Sequence, residues 1–294
     1  MGRFFEELAK KLAERWLALL ALPGALFLVV AVIGGWQGHR AALDGRRLRQ
    51  GAQDLSATLS RLPAGIQVGL LVGALLGAVG VGLVVQAFAG VTRLVWLGSW
   101  PEPLLRWRVQ ARRRRWLGLV GQRRSVSGED PDRQDKIDRL AGKANRIALA
   151  EPGRPTWMGD RVHAVEKVAL ARFGLDLTFG WPRLWLVLPD TVRAEITAAE
   201  ASFAAAVATG TWSLPYLALA IVWWPAAVVG VAFGITGWSR ARAAIGDLGA
   251  LSEAAVDLHG RTLALALGVA DQEETGVLTA EQGRKITSIV RKGR

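Results

Sequence analysis

ASFAAAVATGTWSLPYLALAIVWWPAAVVGVAFGITGWS, residues 201–239, holds no charged side chain between Glu200 and Arg240. A single α-helix of this length would extend about 58 Å at ~1.5 Å per residue, roughly twice the ~30 Å hydrocarbon core of a bilayer. The segment must therefore fold back on itself. Trp223-Trp224-Pro225 marks the turn, because proline stops a helix and paired tryptophans favour the headgroup layer. The stretch reads as a transmembrane hairpin.

Two more uncharged runs lie upstream. Trp16 to Gly38 follows Lys10, Lys11 and Arg15, and its core, LALLALPGALFLVVAVIGG, has 19 residues. That exceeds the ~7 to 15 apolar residues of a signal peptide, and no small-x-small cleavage site follows, so a retained span is favoured. Leu62 to Thr92 is the second run. With the hairpin, four spans are expected.

Composition fits this reading. The chain has a mean hydropathy of +0.24 and is 51% hydrophobic, yet carries 37 basic against 25 acidic residues, the balance of apolar spans joined to charged water-facing segments. Thirty of the basic residues are arginine, a bias that fits a GC-rich genome and is weak evidence of function. The absence of cysteine excludes disulfides, thiol nucleophiles and cysteine-ligated metal.

Basic residues accumulate on the cytoplasmic side of a membrane, and those near span ends count most. Arg106, Arg108, Arg112 to Arg115, Arg123 and Arg124 closely follow the second span. That side is therefore expected to be cytoplasmic, with both termini in the cytoplasm of a multi-pass inner-membrane protein. Arg40, Arg46, Arg47, Arg49 and Arg61, between the first two spans, argue mildly the other way. The expected organisation is an all-α integral membrane protein. A cytoplasmic N-terminus covers 1–15, transmembrane helices cover 16–36 and 66–92, and an external loop joins them over 37–65. A cytoplasmic basic and helical region follows over 93–190. The third span and its helical extension cover 191–222, the fourth span and its extension 226–267, and a cytoplasmic tail 268–294. The two extensions are expected to pair as a two-helix stalk, because no breaker separates either from its span and antiparallel helices pack along their apolar seams.

Local signals place helices in the charged segments. Asp130 and Pro131 are a cap and first-turn pair for a helix carrying Ile137, Leu140, Ala144 and Ile147. A second helix is predicted over 159–173, with Gly174 as its C-cap. FGWPRLWLVLP, residues 179–189, is too short to span and reads as a buried or interfacial segment with Pro182 at a helix start. Near the C-terminus, Thr279 and Gln282 make a capping box.

Three stretches carry a resemblance: FFEELAKKLAERWLALLALPG at the start, RPTWMGD followed by ARFGLDLTFGWPRLWLVLP in the middle, and AAVDLHGRTLALALG late in the chain. They resemble a family of uncharacterised bacterial multi-spanning inner-membrane proteins. The resemblance implies the four-span layout and no particular activity.

Chemistry-bearing residues are sparse. Gly69, Gly73 and Gly77 recur every four residues in the second span, as do Ala226, Gly230 and Gly234 in the fourth. Small residues at this spacing let helices approach closely in lipid. Packing within one subunit is the plainest reading, packing between subunits the next, and a glycine-lined pore wall the least supported. No Asp, Glu, Lys or Arg lies inside a predicted span. Gln67, Gln86, Thr209, Thr211, Ser213 and Thr236 are the polar candidates there, more often interhelical glue than an ion path.

Arg108, Arg112, Arg113, Arg114 and Arg115, with Trp107 and Trp116 interleaved, suit anionic headgroups at a membrane surface. A topogenic charge block that merely holds the second span in orientation is the plainer reading of Arg112 to Arg115, with the headgroup patch second, and nucleic acid is disfavoured because no groove-reading motif accompanies the run. His163 and Glu166 sit one turn apart without a third ligand, so no metal site is expected. No GxSxG elbow, phosphate loop or dinucleotide fingerprint is present, and neither a catalytic residue nor a cofactor is assigned. The function expected is a non-enzymatic anchor or scaffold, oligomeric or bound to a membrane-protein partner. A channel or transporter subunit is the alternative, and a lipid-acting membrane enzyme the third.

Overall fold

The structure is a computed structural model that describes residues 21–126, 132–273 and 275–291. Among these residues every regular element is a helix and no strand occurs. Asp130 and Pro131, expected to open a helix, lie outside the described residues. The chain divides into two compact units, one formed by residues 1–92 and 206–239, the other by 93–205 and 240–294.

In the first unit, α1 spans Leu22–Gln37 and α2 spans Gly45–Arg61. The first 29 residues of α3, Ala64–Leu97, complete its N-terminal half. From the other end of the chain come the last turns of α8, Asp190–Thr211, then α9, Ser213–Leu219, and the start of α10, Pro225–Ala266. Its core gathers Val85, Trp212, Tyr216 and Ala226, with Phe27, Val81, Trp223 and Phe233 packed around them. The Tyr216 ring meets Phe27 edge-on at 5.3 Å and stacks on Phe233 at 5.4 Å. Among the described residues, α3 is the one helix both long and apolar enough to cross a bilayer, while α1 is apolar but shorter.

The expected third span is interrupted. α8 ends at Thr211 and α9 begins at Ser213, with Trp212 between them. Pro215 explains the break: it has no N–H to give the Thr211 carbonyl four residues back, and its ring crowds that carbonyl. The Thr211 hydroxyl is buried, donates to the Val207 carbonyl at 2.8 Å and lies 3.0 Å from the Thr92 hydroxyl.

The second unit contains α4, Glu102–Arg124, α5, Arg133–Ile147, α6, Trp157–Phe173, α7, Leu177–Val187, and α11, Ala280–Val290, with the remainders of α3, α8 and α10. Its main core joins Val165, Ala169 and Phe173 of α6 to Leu184 of α7, Ile196 of α8, Val256 and Leu263 of α10, and Ile286 of α11. The helical extensions expected to pair as a stalk are thus built into a core shared with three other helices. Apolar side chains on α6, α7 and α11 need the same cover, so burial favours one common core over an isolated pair.

α7 begins five residues before Pro182, which lies inside the helix instead of at its start. The helix is opened by Asp176, whose side chain accepts the Thr178 amide at 3.0 Å. Gly174 closes α6 in the left-handed region, with φ +65°, a conformation in which a Cβ would be strained. α11 docks on this corner, with Thr279 and Gln282 forming the reciprocal capping box at its start. The Thr287 hydroxyl donates to the Gly174 carbonyl at 2.8 Å and accepts the Asp176 amide at 3.0 Å, and Arg291 Nη2 donates to the Asp176 carboxylate at 2.6 Å.

Partial burial raises the Asp176 carboxyl pKa, but the Arg291 guanidinium and the Thr178 amide outweigh it, so the net value lies below the ordinary carboxylate range. A carboxylate with a depressed folded pKa contributes stability that is present above its unfolded pKa and lost as pH falls through the folded value. Asp176→Asn should therefore destabilise the docking of α11 at neutral pH and flatten the acid limb of the stability curve. Amide exchange of α11 measured across that limb checks this; an unchanged acid dependence would contradict it.

Candidate functional site

The arginine run lies on α4, and helical phase sorts its members. Arg112 falls on the same stripe as Val109, Trp116 and Val120, the side turned toward the unit's interior, and is only 8% exposed. Its guanidinium donates to the carbonyls of Ile147, Arg154 and Thr156, the last at 3.0 Å, and to the Asp160 carboxylate. The other Asp160 oxygen accepts the Gly153 and Arg154 amides at 2.8 and 2.6 Å. Trp116 donates to the Ala148 carbonyl at 3.1 Å.

Around this pair the RPTWMGD segment, residues 154–160, closes into a knot. Thr156 caps α6 by accepting the Gly159 amide at 3.0 Å and donates to the Trp96 carbonyl at 2.7 Å. A Cβ on Gly159 would overlap the Leu97 carbonyl, and Met158 is fully buried. Arg242 lies over the Trp157 ring at 4.4 Å and donates to the Arg146 carbonyl at 3.0 Å. Burial and then the neighbouring Arg112 charge lower the Arg242 pKa. Two guanidiniums are therefore held close together, and the carboxylate of Asp160 and a ring of carbonyls offset their repulsion.

This geometry divides the expected headgroup site. Arg112 is withdrawn from it, since its donors are spent on the protein interior, and Trp116 is half-buried with its N–H engaged. Arg113 pairs with Glu151 at the surface. Trp107, at 65% exposure, remains on the outer face of α4 with Arg108, Arg114 and Arg115. That smaller group keeps the chemistry of an anionic-lipid contact: guanidiniums beside an exposed indole.

Next to the knot is a cleft of about 180 Å³ lined by Glu151, Trp157, Asp160, His163 and Lys167. His163 Nδ1 lies 3.2 Å from Glu166 Oε2. Among the described residues, no group of three or more His, Asp and Glu side chains is placed to hold a metal ion. Arg161 pairs with Glu253 at 2.7 Å and Arg172 with Asp257 at 3.3 Å, tying α6 to α10.

The glycine stripes also separate. A Cβ on Gly69 or Gly73 would meet nothing within 4 Å, and one on Gly77 only Leu28 at 3.4 Å. The α10 stripe is packed within the chain: a Cβ on Gly230 would lie 2.9 Å from the Leu217 side chain and one on Gly234 3.6 Å from Ser213. Sequence reading missed a closer approach on α10, at Gly237, where a Cβ would overlap the Gly210 backbone, and one closer still at Gly24 against the Ala78 carbonyl. Continuing the stripe by three residues from Gly234 to Gly237 would have found the first.

No family model matches the chain, nor does any curated protein or solved structure.

Proposed function

We propose that the chain is a non-enzymatic, oligomeric anchor or scaffold of a bacterial inner membrane. In this reading the first unit is embedded in lipid, with four crossings and both termini cytoplasmic, and the second unit is aqueous. One observation carries it: from Ile66 to Leu76, α3 leaves apolar side chains exposed all around its axis, with Leu71 at 62% and Leu76 at 67%, and farther along only the stripe of Ala78, Gly82 and Val85 is buried. An unbroken helix with this much apolar surface exposed belongs in hydrocarbon, not in water. Charge supports the same division. Within 21–92 and 206–239, every Asp, Glu, Lys and Arg falls between residues 40 and 61. The resemblance noted from the sequence agrees with the layout.

Oligomerisation through the α3 face bearing Gly69 and Gly73 is supported by the open space beside both glycines. The outer face of α4, with Trp107, Arg108, Arg114 and Arg115, would meet anionic headgroups.

Reporter fusions after residue 50 and at the C-terminus should report opposite sides of the membrane, and alkaline carbonate should leave the protein in the pellet. The same side for both fusions refutes the four-crossing layout. Release by carbonate refutes membrane embedding itself.

A further inference from the structure

We infer that α2, Gly45–Arg61, is an in-plane interfacial helix that docks on an anionic phospholipid surface. This rests on the membrane-embedded reading of the first unit. In helical phase, Leu48, Ala52, Leu55 and Leu59 form one stripe, continued by Leu62 just beyond the helix, while Arg46, Arg49, Gln53 and Ser60 occupy the opposite side. No residue of α2 is buried by the rest of the chain; Leu48 remains 37% and Leu55 42% exposed. A two-sided helix with an unused apolar stripe and arginines opposite matches the boundary between acyl chains and anionic headgroups.

The first unit fixes this helix at the level such a surface would occupy. Only Leu62 and Pro63 separate it from α3, and residues 38–44 join it to α1. Asp44 caps it, accepting the Arg46 and Arg47 amides at 3.0 and 3.3 Å. Gln37 Nε2 donates to the Asp44 carbonyl at 3.2 Å, and Gln67 Nε2 donates to the Leu59 and Leu62 carbonyls at 2.9 and 3.0 Å. Gln67, a polar candidate inside a span by sequence, thus closes the C-terminal end of α2.

Tryptophans mark the same level. The Trp36 ring lies beside Gly51, Trp223 donates to the Ala42 carbonyl at 3.1 Å, and His39 Nε2 lies 2.8 Å from the Ile221 carbonyl. Indoles gathered where the apolar helices end are the mark of a headgroup layer. Charge selects the lipid: residues 40–61 carry five arginines against two aspartates, which suits anionic headgroups over zwitterionic ones.

The absence of cysteine makes site-specific probes straightforward in the full-length protein. Leu48→Cys, Leu55→Cys, Gln53→Cys and, on α3, Leu76→Cys would each carry a polarity-sensitive fluorophore in vesicles of phosphatidylcholine with phosphatidylglycerol. Nitroxide lipids of shallow depth should quench the Leu48 and Leu55 probes at least about twofold more than the Gln53 probe, which aqueous iodide should quench instead. Equal iodide quenching at all three α2 positions overturns the inference. So does protection of the Leu48 and Leu55 probes from both quenchers, the signature of cover by a second copy or another protein. Deep nitroxides at Leu76 read membrane embedding separately: no quenching there refutes the embedding and this inference together, whereas quenching there with unquenched α2 probes refutes this inference alone. Arg46→Gln with Arg49→Gln, in the Leu55→Cys background, should abolish the difference between phosphatidylglycerol-containing and pure phosphatidylcholine vesicles. An undiminished difference overturns the anionic preference.

Discussion

Arg112→Met is expected to be the most damaging single change in the arginine run, although four of the neighbouring side chains are also arginine. Removing the guanidinium leaves the Asp160 carboxylate, whose side chain is 11% exposed, without its partner, and withdraws the donor from the carbonyls of Ile147, Arg154 and Thr156. Breaking a buried ion pair from one side costs about 3–5 kcal/mol, because the surviving charge stays desolvated. Arg114→Gln and Arg115→Gln, at exposed positions of the same helix, should stay within ~0.5 kcal/mol of the parent. Their effect should appear as weaker binding of the detergent-solubilised protein to phosphatidylglycerol vesicles. Thermal unfolding and vesicle co-sedimentation of the three variants test both halves. Equal stability of Arg112→Met and Arg114→Gln would refute the structural role of Arg112.

Gly237→Leu and Gly73→Leu should fail in different ways. At Gly237 the first side-chain atom already meets the Gly210 backbone, and the Ala206 carbonyl lies 3.0 Å away. Two helix backbones would have to separate. Overpacking of this kind costs about 1–3 kcal/mol or more, so the folded monomer should be depleted. At Gly73 there is space, and the monomer should fold normally. If the open face of α3 pairs with another copy, Gly73→Leu should instead reduce crosslinking yield sharply. A Gly73→Leu protein that folds and crosslinks like the parent rules out an interface at that stripe, and a Gly237→Leu protein with normal folded yield rules out the tight crossing.

Much of the fold was legible because its signals are local. Gly174 ends α6, Thr279 and Gln282 open α11, and both follow from side chains acting on backbone groups a few residues away. The turn before Pro225 and the uncharged runs are equally local. Elements that depend on phase or distant partners were harder to read. Nothing in four consecutive arginines marks Arg112 as the buried one; only its spacing to Val109, Trp116 and Val120 does, and its carboxylate partner lies 48 residues on. Gly24 and Gly210 acquire meaning only from what crosses them. α2 read as a connection because half its residues are polar, yet a two-residue link to α3 and the glutamines at its ends hold it in place. Asp176 overrode the expectation at Pro182, since a good N-cap upstream fixes a helix start even when proline then falls inside.

The second unit is discontinuous in sequence, and this has a consequence for biosynthesis. A nascent chain that has reached Ser239 possesses α6, α7 and α8 but none of the residues of α10 and α11 that close their shared core. Leu184 and Ile196 wait for Leu263 and Ile286, and the corner at Gly174 waits for Thr287, 113 positions later. The apolar stretch 206–239 must be made before that closure can occur. A chain stalled or clipped ahead of α11 would leave that apolar core open, without Ile286 and Val290 to cover it.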